Sequence, residues 1–223
     1  MSERVYNQYC PVARAMEVVG GRWTMLIIRE LFSGPKRYTD FMDRLPGIGT
    51  NMLAARLKEL ENDKVIVKAK LPPPAASTVY ELTEFGHMLD PVITNLAKFG
   101  LHFLNPPRPR DQYRPSWVVL GLQASFRPEE AEGVDEAYEF RVDGETFHVV
   151  VENEKVRAAL GPAYKPDIVI TSKKREMAML AAGKEIPKKS WDSGNISVTG
   201  DQNALDRCHK IFGLPGSPKV SGK

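Results

Sequence analysis

The chain has 223 residues, 42% of them hydrophobic, and a formal net charge of +3 from 31 Lys/Arg against 28 Asp/Glu. That is enough apolar material for the cores of two domains of ordinary size, while the charge is too near balance to identify a partner by itself. No apolar run approaches the roughly 20 residues of a membrane helix, and the lead MSERVYNQYC lacks a signal-peptide core. Cys10 and Cys208 form no disulfide framework, and His87, His102, His148 and His209 lack metal-ligand spacing. The expectation is a cytoplasmic chain without a membrane span, metal or cofactor.

By segment, residues 1–104 carry 13 basic against 11 acidic side chains, residues 105–116 carry 3 against 1, and residues 117–223 carry 15 against 16. The small basic excess lies in the N-terminal half and a linker, where it suits phosphate contacts and equally suits a solubilising surface.

Pro11 can open a first helix over Val12 to Val19, which Gly20-Gly21 ends. Trp23 to Phe32 reads as a buried helix stopped by Ser33-Gly34-Pro35. Thr39 is a candidate cap for a short helix holding Phe41, Met42 and Leu45, broken by Pro46-Gly47. The stretch Ile48 to Ile66 follows, with Thr50 as its candidate cap. Leu53, Leu57 and Leu60 form an inner stripe; Asn51, Ala55, Lys58 and Asn62 form an outer face of small and polar residues. Such a face can approach base edges in a groove, although the same periodicity belongs to any amphipathic surface helix. VIVKAKL and VYEL read as two strands around a tip at Pro72-Pro73-Pro74. Helix, turn, helix and hairpin together make a winged helix. Lys68 and Lys70 lie on the wing, within reach of phosphate.

These residues resemble the HxlR-type winged-helix transcriptional regulators over about residues 8–104. Cys-Pro before the first helix, Gly-Gly-Arg-Trp, Leu-Pro-Gly-Ile, Arg-Leu-Lys-Glu-Leu-Glu and Tyr-Glu-Leu-Thr-Glu-Phe-Gly occur in order. The resemblance implies a symmetric homodimer on double-stranded DNA with recognition helices about one helical turn apart. Thr83 would cap the next helix, whose Phe85, Leu89, Val92, Ile93, Leu96, Phe99 and Phe103 suit a dimer face, or the domain's own core if Pro91 bends it back.

Asn105 to Pro115, rich in proline and arginine, reads as an extended spacer. The domains expected are therefore 1–104, a linker at 105–116, 117–214, and a tail at 215–223. Trp117 to Phe126 is helical in pattern. AYEFRVD alternates, placing Tyr138, Phe140 and Val142 on one face, and Asp143-Gly144 turns into TFHVVVE. Strands follow at about Lys155 to Leu160 and at DIVITS, then a helix capped by Ser172 to about Ala182, then NISVTG and a last helix capped by Asp201. DIVITS, a helix, AAGK and GNISVTGDQNAL resemble the type-two sterol carrier protein domain. That resemblance implies a sheet covered by helices around an apolar cavity, with a hydrophobic small-molecule effector and Leu120, Phe140, Phe147, Val149, Met177, Leu180 and Trp191 as lining. The same residue types fill an ordinary core. The fold class is α+β in two parts, a winged helix-turn-helix and a sterol-carrier-like domain.

No nucleophile elbow, phosphate loop or dinucleotide fingerprint occurs, so no enzyme is expected. Cys10 is the one reactive candidate, because the cysteine at this place in the family it resembles can sense oxidants and a helix start favours thiolate; a passive thiol is the alternative. The expected DNA contacts are Arg37, Thr39, Thr50, Asn51, Arg56, Lys58, Lys68 and Lys70. Two other functions stay open: a carrier of hydrophobic molecules whose winged helix serves protein pairing, and a second domain that only extends a dimer.

Overall fold

The computed structural model of the protein describes residues 5–72, 76–104, 108 and 110–215, so Pro73 and Pro74 at the expected wing tip lie outside the described residues. The chain divides into two compact units, residues 1–93 and 94–223.

The first unit runs α1 (Pro11–Val19), α2 (Thr24–Phe32), α3 (Tyr38–Arg44), α4 (Thr50–Asn62), β1 (Ile66–Lys70) and β2 (Thr78–Leu82). Pro11 opens α1, where a missing N–H costs nothing. Ile27, Ile28 and Leu31 of α2 meet Phe41, Leu45, Leu53, Leu57 and Leu60 in a core closed by Val65, Ile66, Val79 and Leu82. β1 and β2 pair antiparallel from Ile66↔Leu82 to Lys70↔Thr78. Lys36 bonds to Tyr80 in both directions, N–H to O at 2.9 and 2.7 Å, which ties the α2–α3 turn to the wing.

Two expected caps are corrected. Arg37, not Thr39, precedes α3, and its N–H donates to Asp40 Oδ2 at 2.7 Å; a carboxylate reaching back from the third helical position fixes the helix start earlier. Thr50 is the first residue of α4, and Gly49 precedes it with extended backbone and no side-chain cap bond.

Thr83 makes the expected capping bond, at the start of a short 3-10 turn that runs straight into the apolar helix. Its Oγ1 donates to the Lys64 carbonyl at 2.6 Å and accepts from the Gly86 N–H at 2.9 Å, starting a short 3-10 turn, Gly86–Leu89. A Cβ on Gly86 would stand 2.1 Å from the Val65 carbonyl oxygen, so only glycine fits there. α5 (Asp90–Leu101) follows, with Pro91 in its first turn, where proline opens a helix instead of bending it.

The division between the two compact units falls inside α5, at Ile93/Thr94. Residues 105–107 and 109 of the expected linker lie outside the described residues, and Pro115 and Ser116 already belong to α6 (Pro115–Ser125).

After a 3-10 turn at Pro128–Glu130 come β3 (Glu136–Val142), β4 (Glu145–Glu152), β5 (Lys155–Leu160), β6 (Ile168–Ser172), α7 (Lys174–Ala181), α8 (Lys188–Asp192), β7 (Ile196–Gly200) and α9 (Gln202–Phe212). The sheet order is β5-β4-β3-β6-β7, antiparallel except between β3 and β6. Asp143 and Gly144 have φ of 48° and 87°, the pair of positive angles that a two-residue hairpin turn requires. Alternation leaves Tyr138, Phe140, Val142, Phe147, Val149 and Val151 on one buried face, met by Val118 and Leu122 of α6, Met177 and Leu180 of α7, and Leu205, Ile211 and Phe212 of α9. Asp201 caps α9 as expected, its Oδ1 accepting from Asn203 N–H at 2.9 Å. Lys173, not Ser172, precedes α7, because Ser172 is held in the sheet opposite Ile196. The architecture is α+β in both units, a winged helix-turn-helix and a five-stranded sheet covered by helices on one face.

Among the described residues no helix is long and apolar enough to cross a membrane, and no group of three or more His, Cys, Asp or Glu could hold a metal ion.

Candidate nucleic-acid interface and ligand cleft

In α4 the spacing 53, 56, 57, 60 is one face of a helix, and all four residues are buried. Three are leucines; the fourth is Arg56, with 6% of its surface exposed. Its Nε donates to the Arg22 carbonyl at 3.3 Å and its guanidinium pairs with Glu59, so α4 is tied to the turn between α1 and α2. Arg56 is therefore corrected from a DNA contact to a structural one: it lies on the inner stripe, and only its charge suggested otherwise.

Asn51, Ala54 and Lys58 form the exposed face, joined by Thr50 at the start of α4 and by Arg37 and Thr39 at the start of α3. The two helix starts are held together by Tyr38, whose hydroxyl donates to the Thr50 carbonyl at 2.9 Å. Since no side chain caps α4, the N–H groups of its first turn are open to an anion. On the wing Lys70 is exposed. Lys68 is committed: its Nζ lies 2.8 Å from Glu61 Oε2 and 5.6 Å from the centre of the Tyr80 ring, and the bond to Glu61 raises its pKa.

Cys10 is half-buried at the position preceding α1, and Cys208 is fully buried in the second unit, where burial pushes its thiol pKa up. Cys208 is inert packing.

In the second unit, Ile170, Leu180, Ile186, Trp191, Ile196 and Val198 line a cleft of about 160 Å³ at the α7–α8 end of the sheet. Of the expected lining, Leu180 and Trp191 are there. Phe140, Phe147, Val149 and Met177 are instead solid core, the two phenylalanine rings stacked at 5.0 Å, and Leu120 is buried in α6 away from the cleft lining. The correction follows from register: those core residues lie on central strands and under α7, where packing leaves no space.

Two polar side chains also line the cleft, exposed Glu185 and buried His209. His209 was missed as a lone histidine, yet Leu205, Cys208, His209 and Phe212 share the helical spacing that faces α9 inward, which was a readable signal. Burial lowers the His209 pKa, outweighing the Leu214 and Pro215 backbone and Asp206, which favour the charged ring.

Residues 18–108 match the HxlR-like helix-turn-helix family model and residues 121–213 match that of the SCP-2 sterol transfer family. The chain is similar to the uncharacterized HTH-type transcriptional regulator YdeP of Bacillus subtilis, 38% identical over 94 residues that cover 41% of this chain and 71% of that one. It is also similar to the HTH-type transcriptional regulator YodB of the same organism, 37% identical over 101 residues covering 45% and 90%. A solved structure of reduced YodB aligns with 35% identity over 45% of this chain and all of that one, at a TM-score of 0.38.

Proposed function

Because the chain belongs, through its N-terminal part, to the HxlR-like helix-turn-helix family, we propose that it is a dimeric, sequence-specific transcriptional regulator, working in the cytoplasm by binding and not by catalysis. The observation that carries this reading is the division of α4 into a buried stripe and an exposed face of Asn51, Ala54 and Lys58 beside an uncapped helix start. Small residues let the helix approach base edges, the open N–H groups bind phosphate, and Lys58 adds a charge. Arg37, Thr39, Thr50 and Lys70 hold the backbone; Lys68 contributes only where phosphate displaces Glu61.

A dimer presents two such helices to half-sites about 34–36 Å apart. The apolar side chains that α5 leaves exposed supply its face. The second unit takes a small hydrophobic effector in its cleft and tunes operator binding, a role supported by the SCP-2 match and by a cleft where a purely structural extension needs only packed core.

The test is operator affinity across a salt series, by fluorescence anisotropy on a DNA fragment selected from the genome. Lys58→Ala weakens binding and reduces the salt slope by about 1, because one fewer phosphate is neutralised. Unchanged affinity and slope would remove α4 from the interface.

A further inference from the structure

Resting on the reading that α4 brings the chain to DNA, we propose that the second unit carries a DNA contact of its own, a basic surface on α7 and α8 that grips the phosphate backbone beside the operator without reading its bases.

Charge in the second unit is lopsided. Residues 173–189 hold six Lys/Arg against two Asp/Glu, although residues 117–223 as a whole hold 15 against 16. The six are Lys173, Lys174, Arg175, Lys184, Lys188 and Lys189, and all are exposed. The fold gathers them. Ser190 Oγ donates to Glu176 Oε1 at 2.8 Å, and this buried bond joins the first turn of α7 to α8, so that Lys174, Arg175, Lys188 and Lys189 all stand within two residues of it. The same bond turns the one carboxyl group of α7 inward, and the exposed acidic side chains nearest in sequence are Glu185 and Asp192. Lys173 lies 3.3 Å from Asp143, which also feels the charge of Lys174. Arg175, Lys188 and Lys189 form no ion pair among the described residues.

The make-up of this surface points to its partner. From residue 165 to residue 215 no large apolar side chain is exposed among the described residues. A helix that docks on a membrane sets Trp, Phe or Leu beside its basic face, and a protein interface has an apolar centre within a polar rim. Clustered cations without an apolar anchor suit a regular polyanion bound through charge neutralisation and counterion release, the phosphate backbone of a duplex. The first unit leaves room for such help. Around α4 the exposed cations are Lys58, Arg37 and Lys70, since Arg56 is buried and Lys68 is paired with Glu61. DNA held by the first unit meets the second at an effective concentration far above its free concentration, so contacts too weak to bind alone still add to the complex.

Fluorescence anisotropy on the full chain across a salt series tests this with three duplexes: an operator trimmed to its two half-sites, the same operator extended on each side by about two helical turns of scrambled sequence, and a scrambled duplex of the extended length. The native chain should bind the extended operator about tenfold more tightly than the trimmed one, with a salt slope steeper by about 2–3, at about 0.9 for each phosphate neutralised. Arg175→Gln, Lys188→Gln and Lys189→Gln together erase the gain from the flanks and leave the trimmed operator bound as before, which also shows that the chain is folded. Lys155→Gln, Arg157→Gln and Lys165→Gln together remove as much exposed charge from β5 and the loop after it, and keep the gain. Equal affinity and slope for trimmed and extended operator in the native chain overturn the proposal, as does a gain that survives the first triple substitution. A gain lost equally in the second triple substitution overturns it too, by reducing the effect to net charge. Binding to phosphatidylglycerol vesicles that the first triple substitution abolishes, with no effect of the DNA flanks, gives the surface to a membrane instead. The reading of α4 fails separately, if the chain shows no preference for operator over scrambled duplex or if Lys58→Ala leaves that preference unchanged. The surface is then judged on the scrambled duplex, where the first triple substitution must still weaken binding and lower the salt slope.

Discussion

Protonating His209 inside the second unit is opposed by burial, which holds its pKa below the ordinary 6.5 despite the Leu214 and Pro215 backbone and Asp206. In the unfolded chain the ring takes its proton near 6.5. Between that value and the lower folded one, the unfolded state binds more protons, so stability is complete above about 6.5 and falls as pH falls through the folded pKa. The second unit should therefore lose melting temperature from pH 7 toward pH 5, and His209→Phe should lose less. Parallel melting profiles for the two proteins across that range would show that His209 carries no such linkage. Arg56 teaches the complementary lesson about what the sequence holds. Its position, three residues from Leu53 and four from Leu60, turns it inward, and the Arg22 carbonyl and Glu59 satisfy it there. Periodicity located both residues; chemical identity alone pointed Arg56 outward and left His209 unremarked.

At the scale of elements, α5 is the one that leaves most apolar surface uncovered. Ile93 is its only buried residue, while Val92, Leu96 and Phe99 are 46%, 47% and 61% exposed, and Phe85 and Met88 just before it are 59% and 68% exposed. A stripe of this kind marks an association surface. In the proposed dimer, Phe99→Asp should give a monomer in light scattering and weaken operator binding, since one half-site then acts alone; thermal stability should change little, because the ring is already exposed. A dimer that survives Phe99→Asp and Leu96→Asp together would have its interface elsewhere. Elements with strong turn chemistry were readable in advance: Asp143-Gly144 sets the register of β3 and β4, and Asp201 caps α9. Caps decided by competition were not. Thr39 lost to the Asp40 carboxylate, Thr50 to an extended Gly49, and Ser172 to the β6–β7 ladder, each moving a helix start by a residue or two. The five residues of α8 are too few for periodicity to register at all.

For the whole molecule, parts that match two different family models share one chain, so the proposed regulation is a free-energy coupling between an operator and a ligand. A ligand can shift operator binding only by as much as its own affinity differs between the DNA-competent and DNA-incompetent states, however tightly it binds. Linkage then fixes a number in advance. If a saturating cleft ligand changes the operator Kd by some factor, saturating operator changes that ligand's Kd by the same factor; coupling energies of about 1–3 kcal/mol correspond to roughly 5- to 150-fold. Titrating the ligand into free protein and into the preformed operator complex, in the same buffer and salt, measures that factor from the second side. A factor of one in both titrations would mean that the cleft binds its ligand without informing the DNA, which is what a carrier fused to a winged helix does. A factor above about five in both would make the cleft the input and α4 the output of one two-state molecule.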